Sequence, residues 1–391
     1  MFTAPVERLA AGAAGIARYE GPTVFIDLTA PGDVVTGRIT EVHKKWARAE
    51  LTGIVTPSPN RIKPRCPYYG LCGGCSLQHI SYKAQLAEKA AMVRDAFTRI
   101  GGFSALPDLK IVPSPPFEYR NRVQLHVKSG AKPVQIGFMG RKSSEIVPVG
   151  DCPAAVPGIR RLLGSGFDRL GIIPPAGRFT VYAQGERVIW EGTSRGRVSI
   201  LGREILMDAG VFFQSNAIML EALIPDLLAS AEKANPELPA ADIYCGVGTF
   251  GAFLQDRFTR LDLIEENATA LALARENVPG TGRRFFAQPG EAWVRGRGGH
   301  KANSKADAPY GFAVADPPRQ GLSPAMRQWF AGEGPPVLAY VSCDPATLAR
   351  DSGELCGAGY RLESLTFYDF YPQTAHIESL AVFIRGGYER L

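Results

Sequence analysis

No stretch of this chain approaches the ~18 successive apolar residues that a membrane-spanning helix needs. Its first residues, Met1 to Glu7, lack the basic and apolar sections of a secretory signal. A cytoplasmic protein is therefore expected, with its seven cysteines reduced, metal-bound or catalytic rather than paired in disulfides. Strong charge of one sign is also missing. The net charge is +6 over 391 residues and the pI about 8.9, which is compatible with a polyanionic partner without requiring one. No internal repeat is found. What remains, 45% hydrophobic and 21% charged residues, describes a globular protein with length for two or three domains.

Three regions differ in pattern. Residues 1–58 carry short β-rich runs (Val24 to Ile26, Val34 to Thr36, Trp46 to Leu51) broken by Gly21-Pro22 and Pro31-Gly32, the turn spacing of a small β-barrel. Pro57-Ser58-Pro59-Asn60 reads as a linker. Residues 59–205 begin with a cysteine-rich segment and a helix over about 81–100, with Leu86, Ala90, Val93, Phe97 and Ile100 on one face and Gly101-Gly102 as its stop. The rest of that region is mixed α+β. Residues 206–391 alternate strand and helix, so an α/β, Rossmann-like C-terminal domain is expected. Residues 295–309, rich in Gly, Arg, Lys and Ala, read as an exposed loop.

Within the α/β region, Asp242-Ile243-Tyr244-Cys245-Gly246-Val247-Gly248-Thr249-Phe250 reads as a strand, a Gly-x-Gly turn and a helix start. Glu265 ends the next apolar run at the distance that suits a ribose diol. The third glycine of the dinucleotide fingerprint is out of register, which favours S-adenosylmethionine over a nicotinamide cofactor. Asp316-Pro317-Pro318-Arg319 follows another buried run and would hold Asp316 rigidly beside the transferable group. Then comes Ser342-Cys343-Asp344-Pro345. Asp344 suits an N-cap and Pro345 the first helical position, so Cys343 falls between a strand end and a helix N-terminus, where thiolate is favoured. A nucleophile is expected there. Cys66, Cys72 and Cys75, spaced C-x5-C-x2-C among glycines, with Cys152-Pro153 as the fourth ligand, suit either tetrathiolate zinc or a [4Fe–4S] cluster.

These motifs, together with Phe212-Phe213-Gln214-Ser215-Asn216 and His376-Ile377-Glu378, occur in an order that resembles the RNA uracil-5-methyltransferases, in particular the TRAM-containing, iron–sulfur 23S ribosomal RNA branch. The resemblance covers nearly the whole chain. It implies a TRAM-like RNA-binding barrel, a class I methyltransferase domain, a [4Fe–4S] cluster at Cys66, Cys72, Cys75 and Cys152, and S-adenosylmethionine contacts from Gln214, Tyr244, Thr249, Glu265 and Asp316. It also implies Cys343 as nucleophile and Glu378 as general base, acting on carbon 5 of a uridine, with 23S RNA as partner and a monomeric enzyme.

One departure is Ala287-Gln288-Pro289-Gly290-Glu291, where the family has a Gly-Asp-Ala-Glu-like segment near the adenine. Basic residues (Lys44, Lys45, Arg48, Arg61, Lys63, Arg65, Arg120, Arg122, Arg319) are candidates for RNA phosphates, and Phe212 and Phe213 for the space around an extruded base. The rival readings are a 5-methylcytosine RNA enzyme, which carries a further cysteine where this chain has Arg319, the tRNA branch of the same family, and a non-catalytic RNA-binding assembly factor.

Overall fold

The computed structural model describes residues 1–128, 135–165, 167, 177–192, 195–297 and 309–387. The chain divides into two compact units. The first comprises Met1–Met92, Pro115–Val188 and Tyr371–His376, the second Val93–Ser114, Ile189–Phe370 and Ile377–Leu391. No described helix is long and apolar enough to cross a membrane.

The first unit opens with a closed barrel of β1 (Phe2–Leu9), β2 (Gly15–Arg18), β3 (Thr23–Ile26), β4 (Val34–Val42) and β5 (Trp46–Thr56), in the order β1-β2-β3-β5-β4. Alternate residues point inward, and Phe2, Ala4, Val6, Val24, Ile26 and Val35 fill the interior. The first two strands are weak in sequence because Pro5 interrupts one and small residues dominate the other.

Asp33, fully buried, anchors the linker. Its Oδ2 accepts from Arg61 Nη2 at 2.5 Å, and its Oδ1 accepts from Arg61 Nε at 3.1 Å and from Ser58 N at 2.8 Å. Arg61 is thus a structural residue rather than a phosphate contact. Burial alone would raise the Asp33 carboxyl, but Arg61 and the Ala30 and Ser58 amides hold it below its ordinary value. That stabilisation is present above the unfolded-state pKa of about 3.9 and disappears as pH falls through the lower folded value. Arg61→Ala should cost about 3–5 kcal/mol, because it strands a buried carboxylate. Urea denaturation at pH 7 and pH 3 checks this, and the deficit should shrink at the lower pH.

After the barrel comes α1 (Tyr82–Arg99). Ala90, Val93 and Phe97 are buried as expected, but Ile100 is 52% exposed and Gln85 and Lys89 are buried instead. Polar residues are tolerated there because they are paired. The Gln85 amide donates to Leu77 O and Ile80 O and accepts from Gln373 N at 3.0 Å, and Lys89 Nζ donates to Tyr371 O at 3.0 Å. After a short β6 (Leu109–Val112) come β7 (Arg122–Lys128), β8 (Gln135–Met139), β9 (Ile146–Val147), α2 (Pro157–Ser165), β10 (Gly177–Gln184) and β11 (Arg187–Trp190). These five later strands form a sheet in the order β11-β10-β7-β8-β9.

The second unit carries a hairpin of β12 (Gly196–Ile200) and β13 (Arg203–Met207). It continues with α3 (Ala217–Ala231), β14 (Ala240–Ile243), α4 (Thr249–Leu254), β15 (Leu261–Glu265), α5 (Ala268–Asn277), β16 (Arg283–Ala287) and α6 (Gly290–Arg297). Last come β17 (Phe312–Ala315), α7 (Pro324–Glu333), β18 (Val337–Ser342), α8 (Pro345–Gly357), β19 (Tyr360–Tyr368) and β20 (Glu378–Arg385). Arg295 and Arg297 therefore end a helix rather than lie in a loop. Residues 298–308, including Lys301 and Lys305, fall outside the described set.

The sheet order is β16-β15-β14-β17-β18-β20-β19-β6. Strands β14 to β18 are parallel and β20 is antiparallel to both neighbours. The mixed α/β class and Rossmann-like C-terminal region expected from sequence are thus observed. The parallel strands are buried on both faces, which is why they read as continuous apolar runs. The winding reverses between β14 and β17, so ligands are expected at the carboxyl ends of these strands.

Candidate active site

That carboxyl edge gathers most of the residues singled out from the sequence. After β14 the chain turns through Tyr244, Gly246 and Gly248, at φ +64°, +55° and +79°. A Cβ on Gly248 would lie 3.0 Å from Ala274, whereas at Gly246 it would meet open space. One glycine therefore permits close helix packing and the other leaves room for a ligand against the backbone. Asp242 Oδ2, buried under the turn, accepts from Gly251 N at 2.8 Å. Burial pushes its carboxyl up to about 7, against the pull of that amide, and the charges of Asp316 and Glu265 add to the rise.

Glu265 ends β15. Its two oxygens accept from Gly246 N (3.0 Å) and Asn267 N (2.8 Å), so it braces the glycine turn. Gln214 sits just before α3, and its Oε1 is buried without a hydrogen-bond partner. A buried acceptor left unmatched is what a donor on a bound molecule would satisfy. Asn216 then caps α3. Its Oδ1 accepts from Met219 N (3.2 Å), and its amide donates to Ser114 Oγ and Phe370 O, both at 3.0 Å. Phe213 is core at 2% exposure and Phe212 is 59% exposed, so the aromatic pair splits between packing and surface.

Asp316 follows β17, and its amide donates to Ile243 O at 3.2 Å, tying the start of this loop to the end of β14. Cys343 follows β18. Asp344 caps α8 by accepting from Thr347 N at 2.8 Å, and Pro345 opens the helix, as the sequence predicted. Glu378 begins β20. Because β20 runs antiparallel to β18 with Ser342 opposite Ser379, Glu378 lies at the end of β18 where Cys343 emerges. It is 4% exposed.

The electrostatics correct one expectation. The Cys343 thiol is not acidified; burial first, then the charges of Glu378 and Asp316, push it up to about 11, with Arg319 pulling the other way. A helix N-terminus shifts a thiol less than desolvation beside two carboxylates does. Burial likewise raises Glu378 well above its ordinary value, with Asp316 adding and Arg319 opposing. Arg319 is exposed, so it can serve these groups and a ligand from the solvent side. Sequence reasoning treated Asp316 only as a cofactor contact; that it also faces Cys343 and Glu378 needed the sheet order.

The four cysteines Cys66, Cys72, Cys75 and Cys152 all belong to the first unit. They are close enough that Cys152 raises the pKa of each of the other three, with burial the larger cause. Cys75 reaches about 12. Gly74 N donates to Cys72 Sγ at 3.4 Å. Arg120, expected to face phosphate, instead lies where its charge lowers Cys72 and Cys75. Even so, no group of three or more His, Cys, Asp or Glu side chains among the described residues is disposed to hold a metal ion.

A Rossmann-like sheet with a glycine turn, a brace carboxylate and an unmatched amide at its switch point suits a nucleotide-type cofactor, and its relatives place the chain among the S-adenosylmethionine-dependent methyltransferases. Residues 2–52 match a family model described as TRAM domain, and residues 307–385 match one described as tRNA (Uracil-5-)-methyltransferase. An uncharacterized RNA methyltransferase of Treponema denticola is 32% identical over 96% of this chain and 97% of its own length. The 23S rRNA (uracil(1939)-C(5))-methyltransferase RlmD of Methylococcus capsulatus is 31% identical over 98% and 97%.

In fold, the chain is similar to the tRNA (uracil-54, C5)-methyltransferase of Pyrococcus abyssi, solved with S-adenosyl-L-homocysteine. The TM-score is 0.74 and the identity 23%, over 98% of this chain and 100% of that one. The chain belongs to the RNA uracil-5-methyltransferase family.

Proposed function

We propose that this enzyme methylates carbon 5 of a uridine in 23S ribosomal RNA, through a covalent adduct at Cys343 and with Glu378 as general base. The observation that carries the reading is the antiparallel register of β20 on β18, which brings a buried carboxylate beside a thiol at the sheet's switch-point edge. Carbon 5 of uracil is a poor nucleophile in the resting base. Addition of the Cys343 sulfur to carbon 6 pushes electron density onto carbon 5, which then accepts the methyl group. Glu378 takes the proton from carbon 5, the sulfur–carbon bond breaks, and the ring double bond returns.

Gln214, Tyr244, Thr249, Glu265 and Asp316 would hold S-adenosylmethionine, which supplies an electrophilic methyl group when bound. The unmatched Gln214 oxygen and the open space over Gly246 fit such a ligand. The 23S assignment follows the activity of the relative from Methylococcus capsulatus, which this chain matches over nearly its whole length. Nucleoside mass mapping of RNA from cells with and without the gene tests it. Loss of one or two 5-methyluridines from 23S RNA, with tRNA unchanged, is expected. Loss confined to tRNA would overturn the substrate assignment.

We further propose that Cys66, Cys72, Cys75 and Cys152 hold a [4Fe–4S] cluster. Four gathered thiols, an N–H···S contact and the cationic Arg120 nearby suit a net anionic tetrathiolate cluster. Protein purified without oxygen should contain about four irons and four acid-labile sulfides per chain, the composition of that cluster. Cys75→Ser should lose most of both, measured by iron and sulfide assay. Stoichiometric zinc in place of iron would reject the cluster in favour of a zinc site.

A further inference from the structure

The β4–β5 hairpin of the barrel presents an aromatic stack that the methyl-transfer chemistry does not use. Its tip is Lys44-Lys45, closed by His43 N donating to Trp46 O at 2.8 Å. The His43 ring stacks on the Trp46 indole, with centroids 3.8 Å apart and planes 21° apart. Phe25 meets the same indole edge-on at 6.0 Å, and the Arg48 guanidinium lies 5.5 Å from its centroid. His43 is further fixed by Glu41, whose Oε1 lies 2.5 Å from His43 Nε2. His43 is exposed and Trp46 half-buried, so the imidazole is the outer plate of a stack whose base is set in the barrel wall. Val42 beside it is 75% exposed. Glu41 and Glu50 are matched by Arg48 and Arg38, whereas Lys44 and Lys45 meet no acidic side chain among the described residues. The tip therefore carries two unmatched positive charges next to an open aromatic face.

We infer that this hairpin is a binding surface for single-stranded RNA. An unpaired base extends the stack on the outer face of His43, and Lys44 and Lys45 take the flanking phosphates. The inference rests on the reading of the chain as an RNA methyltransferase and adds where, and in which form, the RNA is held away from the methyl-transfer site. A single strand is favoured over a duplex for a physical reason. Base faces in a duplex are covered by their neighbours, so only an unpaired base can use a preformed aromatic plate. A surface that read duplex RNA by shape would need only the cations.

The test uses the full-length protein and two RNA probes of equal length, an unstructured oligonucleotide and a closed hairpin duplex, titrated at several salt concentrations. His43→Ala should weaken single-strand binding about 5- to 100-fold, the range for loss of one base stack, and leave the salt slope unchanged. Duplex binding should stay within about twofold, because it engages no stack. Trp46→Phe should retain most of the affinity and Trp46→Ala should not. His43→Ala, whose side chain is exposed, guards against misfolding of the Trp46→Ala barrel.

The K44A/K45A pair should flatten the single-strand salt slope by roughly 1.4, at about 0.7 per phosphate. Wild-type affinity in His43→Ala, equal losses on both probes, or no binding of either probe would overturn the inference. Methyl transfer to bulk RNA by the same wild-type preparation separates the two levels. Activity with normal single-strand binding in His43→Ala rejects only the stacking surface, and absence of methyl transfer rejects the enzymatic reading beneath it.

Discussion

Replacing Cys343 with alanine is expected to lower turnover by roughly 10^4-fold or more, the scale on which loss of a covalent nucleophile is felt. Asp316 and Glu378, whose charges reach the thiol, are buried carboxyls raised by desolvation, and neither matches a thiolate as a nucleophile toward carbon 6. Cofactor binding should persist, because Gln214 and the Gly246 turn do not depend on the thiol. RNA containing 5-fluorouridine, whose carbon 5 cannot lose a proton, should form a crosslink with the wild-type protein that survives denaturing electrophoresis. The Cys343→Ala protein should form none.

The pH dependence follows from the same geometry. With the thiol near 11, only about one site in 10^4 carries thiolate at pH 7. The raised value means that the reactive form is scarce below it and grows as pH rises. The limiting kcat/KM should therefore climb towards tenfold per pH unit between about 7 and 9, since that parameter reports the free enzyme. Arg319 favours thiolate, so Arg319→Gln should lower kcat/KM across that range. Undiminished turnover in Cys343→Ala would end the covalent reading.

Glu378→Gln should produce a different failure. Adduct formation and methyl transfer need the thiol, but release needs the carbon 5 proton to leave. The variant should transfer at most one methyl group per protein and then stall, with turnover down about 10^2–10^4-fold. Unmodified RNA should then be captured covalently, visible as a shifted band without any fluorinated base.

Stability should move the opposite way. A carboxyl whose folded pKa is raised destabilises the fold as pH climbs from the unfolded value, about 4.3, through the folded one. Glutamine carries no charge to desolvate, so Glu378→Gln should melt at the same or a higher temperature than the wild type at pH 8. A variant that turns over normally, or one that forms no adduct, would remove Glu378 from the role of base.

Much of this site was legible because its residues sit in local signals. Asp344 and Pro345 mark a helix start wherever they follow an apolar run, and the structure caps α8 through Asp344. The glycine turn after β14 and Glu265 at the end of β15 belong to one strand–helix–strand stretch, so their spacing reports their proximity. The barrel's first two strands were not legible, because Pro5 and small residues mute the alternation that betrays a half-buried strand. Arg61 and Arg120 looked alike as surface cations. One is locked onto buried Asp33 and the other lies among cysteines, and charge counts cannot tell a solvated guanidinium from a paired one.

The amino-acid order by itself determined the strand–helix alternation, the glycine turn after β14 and the helix start after Cys343. Each depends on residues within about one turn or one strand of each other. Tertiary structure alone decided that Glu378 and Asp316 share the space around Cys343, and that burial, with these charges added, raises the thiol's pKa instead of lowering it. Those residues lie dozens of positions apart, on strands brought together by sheet order. Their desolvation is a property of the packed neighbourhood, which no single segment contains.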